Sequence, residues 1–168
     1  MKIIAGGDSF VWGSELKDSS NGGPNGYSRS TYTSLLAGDN EYVCAAYPGN
    51  ANNAISRMAI DACTGIEDIF LIVTWTYPQR SEFYFNNKWK SLNSWHTTEE
   101  EFSQQYFKYV GNSEYYEIYS LLKEVVFLQH YCQINNIPYL CLTSDNHFYL
   151  HENYLRSVDP SIENLFNQ

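Results

Sequence analysis

The segment from Asp68 to Trp75 carries Ile69-Phe70-Leu71-Ile72-Val73, an apolar run with no polar residue inside it. A strand wetted on one face alternates apolar and polar side chains. An unbroken run belongs instead to a strand covered on both faces, as in a parallel sheet between layers of helices. The rest of the chain fits around that strand. Strand-type segments at Lys2–Ala5, Glu41–Ala46 and Ile137–Leu142 alternate with helical ones at Ser30–Ala37, Asn52–Thr64 and Glu114–Asn135. In the last of these, Leu121, Leu122, Val125, Val126, Leu128 and Tyr131 recur near the 3.6-residue period. Asn50 or Asn52 is the expected N-cap of the middle helix. The expected fold is a three-layer α/β/α domain with a central parallel sheet, one domain over residues 1–168. Residues 77–112 mix Tyr, Phe, Trp, Asn and Ser without a period and read as an irregular aromatic-rich insertion; Phe148–Gln168 reads as partly helical.

Charge narrows the partners. With 10 Lys+Arg against 19 Asp+Glu the formal charge is −9, and no dense basic run occurs, so nucleic acid and anionic membrane surfaces are excluded as expected partners. The start Met1-Lys2-Ile3-Ile4-Ala5 runs directly into Gly6-Gly7, too short for a signal sequence, and no apolar stretch spans a bilayer. Cys44, Cys63, Cys132 and Cys141 lie far apart inside or beside apolar runs, which reads as buried free thiols. No His/Cys/carboxylate spacing suits a metal, and neither metal nor cofactor is expected. The 15 Tyr and 4 Trp read either as a Tyr-rich core edge or as a surface for stacking on sugars or contacting protein.

Ligands of parallel sheets gather at the carboxyl ends of the strands. That rule selects the loops Gly6–Trp12, Ala46–Asn53, Thr74–Glu82 and Thr143–His151. In the first, Gly7-Asp8-Ser9-Phe10 puts a serine hydroxyl on a tight turn, as a nucleophile requires, with Asp8 beside it either as a site residue or as a turn-stabilising carboxylate. In the second, Pro48-Gly49-Asn50 opens a helix whose first N–H groups have no acceptor within it. This is an oxyanion site, or simply a capped helix start. Gly49 would allow close backbone approach, and Asn50, Asn52 or Asn53 could add a donor. Arg80 and Glu82 either pair with each other or hold a substrate carboxylate. His130 reads as a packed helix residue, and His96 falls in the insertion.

Together, Gly7-Asp8-Ser9-Phe10-Val11-Trp12-Gly13, Pro48-Gly49-Asn50-Ala51-Asn52-Asn53-Ala54-Ile55 and Trp75-Thr76-Tyr77-Pro78-Gln79-Arg80-Ser81-Glu82 resemble the SGNH (GDSL-like) hydrolases, and more narrowly the SGNH-like proteins of tailed bacteriophages. The resemblance covers nearly the whole chain, although only the first two blocks are specific. It implies a flavodoxin-like fold and a serine ester hydrolase. Ser9 would be the nucleophile and the Ser9 and Gly49 amides the oxyanion donors. The family's third donor, an asparagine after the third strand, is absent; the place reads Thr74-Trp75-Thr76-Tyr77, and Thr76 or one of Asn50 to Asn53 is the expected substitute, with Trp75 and Arg80 beside the substrate. The family's Asp-x-x-His block is also absent. The expectation is that the chain stops short of that block, leaves the base to His147 or His151, or is degenerate. The substrate class so implied is a small-molecule or glycan ester, with carbohydrate O-deacetylation as the sharper form. The alternative is a catalytically degenerate phage module contacting protein or glycan, and the implied location is cytoplasmic or virion-associated.

Overall fold

The computed structural model describes residues 1–19, 26–93, 101–111, 113–144 and the single positions 159, 161 and 164. Four strands, β1 (Lys2–Gly7), β2 (Glu41–Ala46), β3 (Ile69–Trp75) and β6 (Tyr139–Thr143), form one sheet in the order β2-β1-β3-β6. All three pairings are parallel, with Ile4 opposite both Val43 and Leu71, and Val73 opposite Cys141. The chain first builds outward from β1 to β2, then crosses back to β3, so the strand order reverses between β1 and β3.

Side chains alternate cleanly across this sheet. Ile4, Ala45, Ile69, Leu71, Val73 and Trp75 point to one face, where they pack on Ile55, Ala59 and Cys63 of α3 (Asn52–Cys63) and on Leu121, Leu128 and Cys132 of α5 (Glu114–Ile134). Ile3, Ala5, Tyr42, Ala46 and Ile72 point to the other face, against Val11 of α1 (Ser9–Trp12) and Ala37 of α2 (Tyr32–Ala37). The unbroken apolar run of β3 is thus divided between two cores, each fully buried Leu or Ile contributing about 1.5–3 kcal/mol. The result is a three-layer α/β arrangement. Among the described residues no helix is long and apolar enough to cross a membrane.

Four features depart from the sequence reading. The stretch expected to be an irregular insertion contains an antiparallel hairpin, β4 (Ser81–Phe85) with β5 (Lys88–Leu92), and a helix, α4 (Glu101–Tyr109). The N-cap of α3 is Ala51, which makes no side-chain cap bond; Asn50 precedes it and Asn52 lies within the helix. Ser9 sits at the first position of a one-turn helix rather than in an open turn. Cys63 and Cys132 are buried, whereas Cys44 and Cys141 are half-buried; all four are free thiols. Burial pushes the Cys63 thiol up to about 11 and, with help from neighbouring Cys63 and Cys141, the Cys132 thiol up to about 12, which leaves both unreactive.

The short helix α1 can fold back on the end of β1 because residue 7 has no side chain. A Cβ at Gly7 would lie 2.9 Å from the Val11 Cβ and closer still to one of its methyls. Val11 is itself fully buried, so it has nowhere to yield. Gly7→Ala is therefore expected to lower the unfolding free energy by about 1–3 kcal/mol, the usual cost of overpacking, read from the shift of a urea midpoint. An unchanged midpoint would mean that α1 moves aside freely.

Candidate active site

The loops after β1, β2 and β3 meet at one edge of the sheet, where the strand order reverses. Asp8 lies at their centre and is 0% exposed. Its Oδ1 accepts the Phe10 N–H at 3.0 Å, capping α1. Its Oδ2 accepts the Thr76 hydroxyl at 2.6 Å and the Arg80 Nη1–H at 2.8 Å. Arg80, whose side chain is 8% exposed, also reaches the Asn50 carbonyl at 3.4 Å. One carboxylate thus gathers all three loops, and the donors around it replace the water it lost on burial.

The asparagines around the start of α3 complete the rim. Asn50 donates its side-chain N–H groups to the Gly7 carbonyl and to Met58 Sδ, at 3.0 and 3.4 Å. Asn52 accepts the Thr76 N–H at 2.9 Å and donates to the Thr76 and Tyr77 carbonyls, both at 3.2 Å. Asn53 pairs with the Glu82 backbone in both directions, at 2.8 and 3.1 Å, as a neighbouring strand would. Side-chain amides therefore do the work of a missing ladder at the point where β3 leaves the sheet.

Ser9 stands immediately beyond this buried network. It is half-buried, its hydroxyl makes no hydrogen bond among the described residues, and its N–H, at the first helical position, has no acceptor within α1. The Pro48-Gly49 turn lies on the same rim, since the Tyr47 and Asn50 side of it is tied to the Gly7 carbonyl. Gly49 has φ +80°, and a Cβ there would meet nothing within 4 Å. Glycine is required at 49 by the left-handed backbone of the turn rather than by the close approach expected from sequence. Phe10 and Tyr47 are exposed beside Ser9 and the turn, and Trp12 packs edge-on against Tyr47, with ring centroids 5.4 Å apart.

Several expected site residues serve inside the protein instead. Thr76 and the side chains of Asn50 and Asn52 spend their donors on Asp8, Met58 Sδ or backbone carbonyls, and Asn53 is drawn to the Glu82 backbone, so none is placed as the substitute oxyanion donor. Asp8 is sealed from any ligand. Trp75 is buried in the core below α3 and α5 because the inward-facing alternation of β3 continues to its last residue. Arg80 and Glu82 do not pair with each other: Arg80 turns down to Asp8, while Glu82 forms a bidentate pair with Arg57 at 3.0 Å. His147, His151 and His96 lie outside the described residues. His130 is exposed near the C-terminal end of α5, which feeds β6 from the opposite edge of the sheet. One residue at this rim was not singled out from the sequence. The Tyr32 phenol bonds the Thr74 hydroxyl, and burial, together with the Asp8 charge, pushes it upward against that hydrogen bond, keeping it protonated. Only its place at the start of a short helix, after the Thr31 cap, could have drawn attention to it.

Removing the cation from this network strands a buried carboxylate. Arg80→Met is expected to destabilise by about 3–5 kcal/mol, and Thr76→Val by about 1–3 kcal/mol. Adding Asp8→Asn to Arg80→Met should recover part of the loss in a double-mutant cycle followed by chemical denaturation; strictly additive losses would show that the pair is not coupled. No protein-family model, no curated protein and no solved structure matches this chain.

Proposed function

We propose that the protein is a serine ester hydrolase of the SGNH type, with Ser9 as nucleophile. The observation that carries this reading is the setting of Ser9: an unengaged hydroxyl and a free amide at the carboxyl edge of β1, at the reversal of strand order, on a loop held by the buried Asp8 cluster. The parallel order β2-β1-β3-β6 is compatible with the first four strands of a flavodoxin-like sheet and supports the same assignment. Ser9 Oγ attacks the acyl carbonyl and its proton passes to a base. The tetrahedral oxygen accepts hydrogen bonds from the Ser9 and Gly49 N–H groups, the returning proton expels the alcohol to leave an acyl-Ser9 ester, and a water deprotonated by the same base hydrolyses that ester to the free acid and the Ser9 hydroxyl. His147 or His151 is the base in this scheme, both following β6 in the sequence. The exposed rings of Phe10 and Tyr47, with half-buried Trp12 packed behind Tyr47, favour a carbohydrate ester, giving O-deacetylation as the specific reaction.

A second reading has a specific observation behind it. Since Thr76 and the asparagines are committed internally, the oxyanion would have two backbone donors and no side-chain donor, and one such donor is worth about 3 kcal/mol of transition-state stabilisation. A degenerate module that keeps the fold and contacts protein or glycan, as part of a virion for example, accommodates that loss.

Hydrolysis of an aryl acetate by the pure protein separates the two. The esterase reading expects turnover that falls by about 10³-fold or more in Ser9→Ala, labelling of Ser9 by a fluorophosphonate, and loss of activity in either His147→Ala or His151→Ala. Equal rates with and without the Ser9 hydroxyl would discard it as nucleophile. No turnover and no labelling would leave the binding module.

A further inference from the structure

A second concave site lies away from Ser9, between α3, α5 and the β4–β5 hairpin. It is a groove of about 310 Å³, at the lower end of ligand-pocket sizes and sufficient for a single sugar ring. Ser56 is among the residues that line the groove, although it is only 1% exposed and its hydroxyl is buried beneath the surface. The Ser56 hydroxyl has no hydrogen-bond partner; it does not even take the bond to a carbonyl one turn back that helical serines commonly make. A buried hydroxyl without a partner is a standing cost to the free protein, and native structures rarely keep one without reason. The walls are two large rings held open to solvent, Trp89 at 48% and Phe127 at 58% exposure. Asp61 and Glu124 supply carboxylates at the rim.

The charges around the groove narrow the occupant. An anion is disfavoured by Asp61, Glu124 and the overall charge of −9. A cation is disfavoured because that place is already filled: the Arg57 guanidinium lies 4.3 Å over the Trp89 ring, with its charge met by the Glu82 carboxylate at 3.0 Å and more distantly by Asp61 at 4.0 Å. What the groove offers is a pair of rim carboxylates held only at long range, Asp61 by Arg57 at 4.0 Å and Glu124 by Lys123 at 3.8 Å, one hydroxyl below that both donates and accepts, and the solvent-exposed surface of two rings. A neutral ring rich in hydroxyl donors, with one apolar face, matches all three.

We infer that this groove binds a neutral saccharide ring, stacked against Trp89 and Phe127 and hydrogen-bonded to Ser56, Asp61 and Glu124. Asn53 borders both this groove and the Ser9 rim, but the groups that would hold the saccharide are not those of the rim, and the inference does not depend on Ser9 being a nucleophile. The Arg57 clamp sets it. By holding Trp89 with its face and Glu82 with its edge, Arg57 fixes the hairpin against α3 and gives the groove a preformed shape.

Titration calorimetry with three neutral hexasaccharides, cellohexaose, maltohexaose and chitohexaose, tests the inference, with hexylamine as the cationic comparison. At least one hexasaccharide should bind saturably. Trp89→Ala should weaken it by about tenfold or more. Ser56→Ala should also weaken it while leaving the melting temperature unchanged or higher, because it removes a hydroxyl that the free protein cannot satisfy. A merely structural Ser56 would lower both together. Ser9→Ala should bind as the parent does, and Trp89→Ala should keep the parent rate on an aryl acetate, so that this inference and the esterase reading stand or fall separately. Saturable binding of hexylamine alone, no binding of any hexasaccharide, or binding indifferent to both substitutions in the groove would overturn the inference.

Discussion

The carboxylate of Asp8 is the constraint on which the rest of the functional edge depends. It is removed from water at the end of the central strand, where a bare charge could not persist. Arg80, the Thr76 hydroxyl and the Phe10 amide converge on it from two loops. Such a cluster contributes little net stability, since desolvation of both charges offsets most of their attraction. What it contributes is register. The residues after β3 can leave the sheet along one path only, the one that brings position 80 over position 8. Asn52 and Asn53 then hold that path with side-chain amides from the start of α3. The orientation of Ser9 follows, because Asp8 both anchors the loop and caps the helix in which Ser9 is the first residue.

The layers and the strand ends were legible in the sequence for a simple reason. β3 and β1 are buried on both faces, so their apolar runs carry no polar interruption, and α3 and α5 keep the helical period that one buried face demands. β2 was found with its observed ends, Glu41 and Ala46, because Gly38 and Pro48 bracket it. The hairpin was not legible, because its side chains defeat the period-two signal. Phe83 packs against Tyr106 and Phe102 on one side while Tyr84 meets Trp89 on the other, so both faces are aromatic. The remaining cue was its turn: Asn86 and Asn87 both adopt positive φ, +51° and +61°, the conformation of a two-residue hairpin loop, for which asparagine is one of the few tolerant residues.

The same logic explains which site residues were read and which were misassigned. Position in a strand-end loop identified Asp8, Ser9, Gly49, Thr76 and Arg80 as neighbours, and they do share one rim. Sequence could not say which of their polar atoms would be left over. Arg80 and Glu82 are near in sequence and opposite in charge, which made their pairing the natural expectation. Yet residue 82 has already entered β4, where its side chain faces α3 and finds Arg57, while residue 80 is still in the loop and turns toward β1. Within one strand, residues two apart would share a face; the passage from loop to strand at Ser81 breaks that relation and outweighs proximity along the chain.

The internal commitments at the rim bear on catalysis in two opposite ways. Each donor drawn to Asp8 or to a carbonyl is one fewer for a developing oxyanion, which weakens the site as a copy of a fully equipped hydrolase. Each also removes a way for the loop to move, and stabilisation of a transition state depends on donors fixed before the reaction begins. Ser9 and Gly49 present backbone amides, whose positions follow directly from the fold and need no side-chain ordering. In the proposed mechanism, two rigid backbone donors would forgo one contribution and keep the others at little reorganisation cost. The contrast with Ser56 is instructive: there the unsatisfied group is a side-chain hydroxyl in mid-helix, where the neighbouring backbone N–H groups are already bonded within α3 and none is left to stabilise an oxyanion. Two serines in the same molecule are thus separated by their surroundings into a nucleophile candidate and a binding group, and the difference is the presence or absence of free backbone N–H groups at the hydroxyl.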